Sequence, residues 1–307
     1  MGLRIRTNMA SLFAQRRLGL STDDLRGSAA KLASGERINR SADDAAGLAI
    51  SDNLKADMRS LSQAQRNAMD GISLVQVAEG GLTETTNMLS RLRELAIQAA
   101  SDTIGNTERD FLDREYIQLK DEIDRIANST EFNGTRLLIG DNDVGEELAN
   151  GPNSFPMEIQ VGKDYYAEAD AIDARNPVNI IKLNFSNLNA FTEGEGSLNI
   201  GRGEEGTRIN EKVAAQTSIS TIDVAITKVN DYRAYLGAMQ NRLSSTTQTL
   251  GIAIENLGEA RSRIRDTDFA SETAKYTQNN ILQQAGVSIL AQANSQPQVA
   301  LGLLQSL

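Results

Sequence analysis

The 307-residue chain contains no cysteine, no histidine and no tryptophan, and only 4% of its residues are aromatic. Without cysteine and histidine it cannot form disulfides, use a thiolate nucleophile, bind zinc through its usual ligands or run Ser-His-Asp or Cys-His catalysis. The scarcity of aromatic rings argues against an ordinary compact core, whereas seams between helices are readily built from Leu, Ile, Val and Ala. We therefore expect no enzyme, no catalytic or metal-binding residue and no cofactor.

Long apolar runs are also missing. No segment approaches the roughly 18 apolar residues of a membrane span, so we expect no membrane insertion. The N-terminal residues lack an apolar stretch with a small-residue cleavage site, so any export would use a route other than a cleaved signal peptide. The net charge is −10, with basic residues predominating in 1–40 and acidic residues in 141–206. Because the basic segment has no interleaved aromatics and no dense Lys/Arg block, we expect no nucleic-acid partner.

What the sequence does contain is two long heptad runs, one near each end. The first predicts a helix from about 43 to 102, and the second predicts a helix from about 209 to 257. Asp57, Gly71 and Thr85 are weak positions within the first run. The repeating apolar positions are Leu54, Leu61, Ala68, Val75, Leu82, Leu89 and Ala96 with companions Ala64, Ala78, Leu92 and Ala99, and then Ile222, Val229, Leu236, Leu243, Leu250 and Leu257.

Two further helices are expected outside these runs. The first covers about 4–34 and ends at Gly35, a residue that favours helix termination. The last covers about 268–293, with Pro297 loosening the final turns because proline lacks the backbone donor. The charged stretch 258–267 predicts a connector between the second long helix and the last one.

Local motifs predict how the remaining elements begin and turn. Capping-box patterns at 41–44 and 107–110 predict helix starts, the second for a shorter helix that folds back antiparallel. Asn133-Gly134 is typical of a tight turn. Short alternating runs at 157–161 and 179–185 predict strands of a small hairpin region, which needs support from the helices because isolated hairpins are marginally stable.

Together these patterns predict a mainly α fold: an elongated antiparallel α-helical coiled-coil rod formed by the N- and C-terminal segments, with a small β-hairpin insertion in the middle. Residues 1–43 and 259–307 would form a terminal coiled-coil domain, the inner core. Residues 44–140 and 207–258 would form a long-helix rod domain. Residues 141–206 would form its β-hairpin-rich part.

One motif is compatible with an enzyme. Residues 201–206 spell G-x-G-x-x-G, the phosphate-binding pattern of dinucleotide sites, and Asp223 follows at a suitable distance. Glu204 and Glu205, however, would place negative charge beside a pyrophosphate, and no parallel strand follows the next helix. An acidic turn is the favoured interpretation, and an enzyme using 201–206 is the less favoured alternative.

Several longer strings resemble bacterial flagellin. The resemblance covers about residues 1–140 and 209–307, and the middle is too short for large variable outer domains, so the chain is similar to a short flagellin. The strings are LASGERINRSADDAAGLAISDNL at 32–54, LSRLRELAIQAASDT at 89–103, FNGTRLL at 132–138, RSRIRDTDFASE at 261–272 and ILQQAGVSILAQANSQPQVALGLL at 281–304.

This resemblance implies a structural subunit that self-assembles into the helical flagellar filament for swimming motility. The terminal helices would coil together and line the filament channel, while the long helices would form its wall. It also implies secretion to the extracellular filament by type III export, a chaperone for the C-terminal helix, and contacts with filament cap and hook-associated proteins. The residues that we expect to carry assembly are Leu18, Leu25, Leu32, Ile281, Leu282, Ile289 and Leu290.

Two further expectations follow from the resemblance. Arg91, Leu95 and Glu115 match positions through which recognised flagellins contact the flagellin-sensing Toll-like receptor of a host. From the residues alone, such charges on a heptad flank are usually solvated helix faces or inter-subunit salt bridges. A hook–filament junction protein, which shares the terminal layout, is the alternative to a filament subunit.

Overall fold

The computed structural model describes residues 8–140, 156–164, 178–185, 188–194, 196–201 and 207–305. Within them the chain is mainly helical with four short strands, which confirms the predicted fold class of helices with a small β-hairpin part. The elements are α1 Met9–Ser34, α2 Ala45–Ala99, α3 Asn106–Ser129, β1 Glu131–Phe132, β2 Thr135–Arg136, β3 Met157–Gln160, β4 Ile180–Leu183, α4 Lys212–Arg265 and α5 Phe269–Gln305.

The chain divides into two units. One comprises the described residues up to Met58 together with those from Glu255 onward, and the other comprises the described residues from Arg59 to Ile254. The first unit holds α1, α5 and the adjoining ends of α2 and α4. The second holds the rest of α2 and α4 together with α3 and the strands. The predicted functional division at 43/44 and 258/259 stays a prediction.

The heptad runs form the core of the second unit. From Ala64 to Ala99 on α2 and from Ile222 to Leu250 on α4, the repeating apolar positions are buried, as the periodicity predicts. Helix α3 adds Tyr116 and Ile123 to the same core. The burial of these side chains is the main source of the stability of this unit, at roughly 25 cal/mol per Å² of apolar surface.

The strands pair as two small antiparallel sheets, β1 with β2 and β3 with β4. Asn133 and Gly134 both have positive φ, 51° and 79°, so the predicted turn is confirmed and has the backbone of a tight hairpin.

The β3–β4 pair rests on α2, where Asn67 Nδ2 donates to the Gln160 carbonyl at 3.0 Å. A side chain at Gly71 would collide with Ile159 Cδ1, so this weak heptad position is what admits the strand.

Several predicted helix ends are wrong. Helix α1 begins at Met9 rather than near Arg4, because the non-helical Asn8 caps it by accepting from Ser11 N. Helix α2 is capped by Asp44, whose carboxylate accepts from Gly47 N at 2.9 Å, and not by the Ser41 hydroxyl. An ionised carboxylate is the stronger acceptor at this position.

The start of α3 also differs from the prediction. The helix begins at Asn106, after Gly105, and no side chain caps it, so the capping box predicted at 107–110 is wrong. The Asn106 side chain accepts from Arg109 Nη1 at 2.8 Å instead of capping the helix. The termination of α1 at Gly35, which adopts φ 71°, is confirmed.

The connector predicted at 258–267 is also wrong. Helix α4 continues to Arg265, and the break is confined to the residues between Arg265 and Phe269. The charged stretch is rich in good helix formers, and its Arg265 pairs with Glu36 at 2.9 Å, so the charge serves ion pairing rather than a loop. Helix α5 runs through Pro297 to Gln305, which corrects the expectation of loosening there.

Candidate assembly surface

Helices α1 and α5 pack antiparallel along a seam with coiled-coil spacing. The seam residues are the buried or half-buried positions of each helix, and they recur at alternating intervals of three and four. Nine of the fourteen are small or polar, whereas an ordinary coiled coil places large apolar residues here. They are Ser11, Ala14, Leu18, Ser21, Leu25, Ser28 and Leu32 on α1, and Glu272, Tyr276, Asn279, Gln283, Gly286, Leu290 and Ala293 on α5.

Hydrogen bonds satisfy the polar part of this seam. Ser11 Oγ donates to Asn294 Oδ1 at 2.7 Å, and Ser21 Oγ donates to the Asn279 carbonyl at 3.2 Å. Glu272 is buried, and burial alone would raise its pKa. Hydrogen bonds from Ser28 and Lys275, with the charges of Lys275 and Lys31, outweigh the burial and lower the pKa of Glu272 below its usual value.

Apart from the seam leucines and Tyr276, many large apolar residues of both helices point away from the seam. Phe13 is 62% exposed and Ile281 is 61% exposed, values that are unusual for side chains of this size on neighbouring helices. We call these exposed side chains the outer apolar face. It consists of Met9, Leu12, Phe13 and Leu20 on α1, and Phe269, Ile281, Leu282, Val287 and Ile289 on α5.

The connectors that precede α2 and α5 bind each other. Arg37 N donates to the Arg265 carbonyl at 2.6 Å, and Thr267 N donates to the Gly35 carbonyl at 2.9 Å. Glu36 accepts ion pairs from Arg261 and Arg265. The backbone and the charges therefore hold the end of α1 beside the end of α4.

Family comparisons identify the group of proteins in which this helix pair occurs. The family model for the bacterial flagellin N-terminal helical region matches residues 5–143, and the model for the bacterial flagellin C-terminal helical region matches residues 219–304. The chain belongs to the bacterial flagellin family.

Individual relatives agree with this assignment. The flagellar filament 30.7 kDa core protein of Treponema maltophilum is 41% identical over 301 residues, covering 98% of this chain and 99% of the relative. The flagellin of Bacillus subtilis strain 168 is 39% identical over 318 residues, covering 99% of this chain and 100% of the relative. The crystal structure of Bacillus cereus flagellin is also similar, with 32% identity, a TM-score of 0.43, and coverage of 60% of this chain and 88% of that chain.

The predicted recognition as a short flagellin is confirmed, as is the function as a structural flagellar-filament subunit rather than an enzyme. Flagellin as a family also supports the predicted self-association into a filament. Among the described residues, no helix is long and apolar enough to cross a membrane. The same residues contain no group of His, Cys, Asp and Glu side chains suited to a metal ion.

The seven assembly residues predicted for this flagellin fall into two groups. Leu18, Leu25, Leu32 and Leu290 are half-buried in the seam of their own chain, while Ile281, Leu282 and Ile289 belong to the outer apolar face. The sequence prediction missed Phe13, Phe269 and Val287, which extend that face. The sequence contains a signal for this face, because Phe13, Phe269 and Val287 are apolar residues outside the heptad positions of the seam.

The residues predicted to contact a receptor, Arg91, Leu95 and Glu115, lie where α2 packs beside α3, and the receptor contact stays a prediction. Arg91 Nη2 donates to Glu115 Oε1 at 2.8 Å, and Arg91 Nη1 donates to Glu94 Oε2 at 3.0 Å. Hydrogen bonds from Arg91 to Glu115 and then Glu94 raise the pKa of the guanidinium. Leu95 is only 1% exposed, so the structure leaves Arg91 and Glu115 accessible and encloses Leu95 in the core.

The glycine-rich motif is held by a buried lysine that the sequence prediction missed. Lys120 Nζ donates to the Gly201 carbonyl at 2.8 Å and to the Thr207 carbonyl at 2.7 Å, and so binds the first residue of the motif and the residue that follows the motif. Tyr116 donates to Thr207 Oγ1 at 2.8 Å, and burial raises the pKa of Tyr116 to about 12. Residues 202–206 themselves lie outside the described residues.

Two neighbouring polar residues extend this arrangement along α3. Asp113 accepts from Arg208 Nη2 at 2.7 Å and from Ile209 N at 3.0 Å. Arg109 is buried and donates to the Ala99 and Ser101 carbonyls. Arg109, Asp113, Tyr116 and Lys120 are four, three and four residues apart, so they lie on one face of α3. Together they bind residues that precede α3 in the sequence and residues that follow it. We call these four residues the α3 clasp.

Proposed function

We propose that this flagellin polymerises through the outer apolar face of α1 and α5, which neighbouring subunits cover in the filament. The observation that supports the proposal is the unusual distribution of side chains on these two helices. The seam within one chain is largely small or polar, and many large apolar residues point outward. Each large apolar side chain contributes about 1.5–3 kcal/mol when it is fully buried.

The same distribution supports the division of roles between the predicted domains. The second unit buries repeated leucines within its own chain, so it folds without neighbours. The α1–α5 pair has a weak seam, and helices gain most of their stability from packing. In this proposal the terminal pair becomes stable when subunits join, lines the channel of the filament and carries the axial contacts. The long helices form the wall.

Paired valine substitutions test the proposal. Val287 lies on the outer apolar face and is 54% exposed, whereas Val178 lies beside β4 and is 77% exposed. Val287→Ser should raise the monomer concentration needed for polymerisation at least several-fold, because it removes apolar area that the contact buries. Val178→Ser is the matched control and should polymerise as the parent does. Equal polymerisation of both variants would contradict the proposal.

We further propose that the chain leaves the cell unfolded through the flagellar type III export apparatus and becomes part of the extracellular filament. The exposed apolar residues of α5 support an export chaperone as partner, because an exposed face needs cover before assembly. Cap and hook-associated proteins would contact the same helix ends. Measuring the amount of chain in the medium of cells with and without the export apparatus tests this route.

Recognition by a host Toll-like receptor is proposed through Arg91 and Glu115, with Leu95 supporting them from the core. A charge swap separates receptor contact from the internal ion pair. Arg91→Glu combined with Glu115→Arg restores the pair in reversed order but presents the wrong charges to a receptor. The swap also loses the pair of Arg91 with Glu94, but both side chains are exposed and such pairs contribute little to stability. We therefore expect the doubly substituted chain to lose little stability and to lose receptor activation in a reporter-cell assay. Unchanged activation would exclude these two residues.

A further inference from the structure

The interior of α5 contains a proline, and this leaves one backbone carbonyl without its usual partner. In an α-helix the N–H of residue 297 would donate to the carbonyl of Ala293, four residues earlier, but Pro297 has no N–H. Ala293 is only 8% exposed. A buried carbonyl without a donor costs free energy, so this position calls for a donor from elsewhere.

Asn8 supplies that donor. Its Nδ2 donates to the Ala293 carbonyl at 2.8 Å, while its Oδ1 accepts from Ser11 N at 3.1 Å and caps α1. The orientation of the amide follows from its partners, since a carbonyl needs a donor and a backbone N–H needs an acceptor. One side chain thus begins α1 and completes the hydrogen bonding of α5.

The leucines of the seam define the register of the two helices weakly. Leu18, Leu25 and Leu32 are seven residues apart, so sliding one helix by a heptad brings leucines to equivalent positions. Polar partners, by contrast, can specify a register. Proline occurs once in α5, at 297, so the carbonyl that it frees also occurs once.

We propose that Asn8 is a positioning residue that sets the register of α1 against α5 by donating to the carbonyl freed by Pro297. The proposal concerns contacts within one chain and goes beyond polymerisation. Its test uses the unpolymerised full-length chain, in which a disulfide traps the two helices in the register in which they meet even if the pair is only partly formed. Failure of the register proposal and failure of the assembly proposal are therefore distinguishable.

Disulfide trapping measures the register directly, because the chain has no cysteine of its own. A β-carbon added at Gly286 would lie 3.9 Å from that of Leu18, close to the separation of about 3.8 Å in disulfides. Leu18→Cys with Gly286→Cys therefore reports the observed register. Leu18→Cys with Asn279→Cys reports a register displaced by one heptad, about 10 Å along the helix. The measured quantity is the ratio of the two disulfide yields under mild oxidation.

The expected result is a thermodynamic coupling between Asn8 and Pro297. Asn8→Asp keeps the helix cap but removes the donor, and should lower the ratio about three- to tenfold, as expected for one hydrogen bond. Adding Pro297→Ala returns a backbone N–H to the Ala293 carbonyl and should restore the ratio to within about twofold of the parent.

Ser21→Ala is the matched control. It removes a seam hydrogen bond to the Asn279 carbonyl, which keeps its helical donor from residue 283. Its ratio should change little, and Pro297→Ala should not alter it. An unchanged ratio in Asn8→Asp would overturn the proposal. So would a ratio near one in every variant, or an equal effect of Pro297→Ala in the Ser21→Ala and Asn8→Asp backgrounds.

Discussion

At the scale of single residues, charged groups that are enclosed in this flagellin differ from charged groups on its surface. Lys120 is 1% exposed and its ammonium group binds two carbonyls, those of Gly201 and Thr207. Lys212 makes an ion pair with Asp102 at 2.7 Å in an exposed position. Surface ion pairs of this kind contribute little to the free energy of unfolding, because water and salt screen the two charges.

Lys120→Met and Lys212→Met measure this difference with the same substitution. The first leaves two buried carbonyls without a donor and should lower the free energy of unfolding by about 2–4 kcal/mol. The second should change it little. Urea unfolding followed by circular dichroism gives both values. Equal stability of the two variants would contradict the structural role assigned to the α3 clasp.

The seam of α1 and α5 should respond to acid through Glu272. The pKa of Glu272 is lowered in the folded chain, so the carboxylate stabilises the seam at pH values above its usual pKa of about 4.5. That stabilisation is lost as the pH falls through the lowered value. We expect the helicity of the full chain to fall on acidification by more in the parent than in Glu272→Gln, as measured by circular dichroism. Parallel pH profiles would show that another carboxylate is responsible.

At the scale of secondary-structure elements, two glycines within α2 have opposite surroundings. A β-carbon at Gly71 would collide with Ile159 Cδ1 and lie 3.4 Å from Leu243 Cδ1, while a β-carbon at Gly80 would have no neighbour within 4 Å. In open space, alanine is preferred to glycine in a helix by about 0.5–1 kcal/mol. The close approach of β3 reduces that preference at position 71.

Gly80→Ala should therefore raise the free energy of unfolding by about 0.5–1 kcal/mol, whereas Gly71→Ala should raise it less, because the Ile159 side chain must move to make room for the added methyl group. Thermal unfolding measures the stability, and amide exchange in 157–160 reports the strand. Ile159→Val removes the colliding methyl group and should relieve the Gly71→Ala variant. If Gly71→Ala alone stabilises as much as Gly80→Ala, the strand does not rest on this position.

The long helices were predictable because a single signal, apolar residues at period seven, coincides with burial from Ala64 to Ala99 and from Ile222 to Leu250. The connector at 258–267 was mispredicted because charge marks both loops and solvated helix faces. Here the helix is favoured over a loop by an ion pair with a residue that is distant in sequence, since Arg265 pairs with Glu36. The carbonyl that Pro297 leaves without a helical donor likewise has a partner distant in sequence, Asn8, which no local pattern reveals.

At the scale of the whole molecule, the two units bury different kinds of side chains. The unit from Arg59 to Ile254 encloses a large apolar core, whereas the α1–α5 pair encloses serine, asparagine, glutamine and glutamate beside its leucines. Apolar burial is the dominant favourable term in folding. We therefore expect the unit from Arg59 to Ile254 to fold without neighbours, and the α1–α5 pair to depend on them.

The assembly surface was only partly predictable from the sequence. The heptad leucines at 18, 25 and 32, which were expected to carry assembly, are half-buried in the seam of one chain, and their role in assembly stays a prediction. Ile281 and Ile289 were predicted, but Phe13 and Phe269 were not, because they lie outside the heptad positions that predict a seam. A helix whose apolar residues exceed the width of one seam indicates a second partner.

Cysteine labelling tests most directly whether the outer apolar face is covered in the filament. Val287→Cys and the control Val178→Cys each add one thiol to a chain that has none. Both thiols should react with maleimide at similar rates in the unpolymerised chain, since both parent side chains are exposed. In filaments, labelling at 287 should fall at least tenfold while labelling at 178 stays unchanged. Labelling at 287 that is equally fast in filaments and monomers would contradict the account.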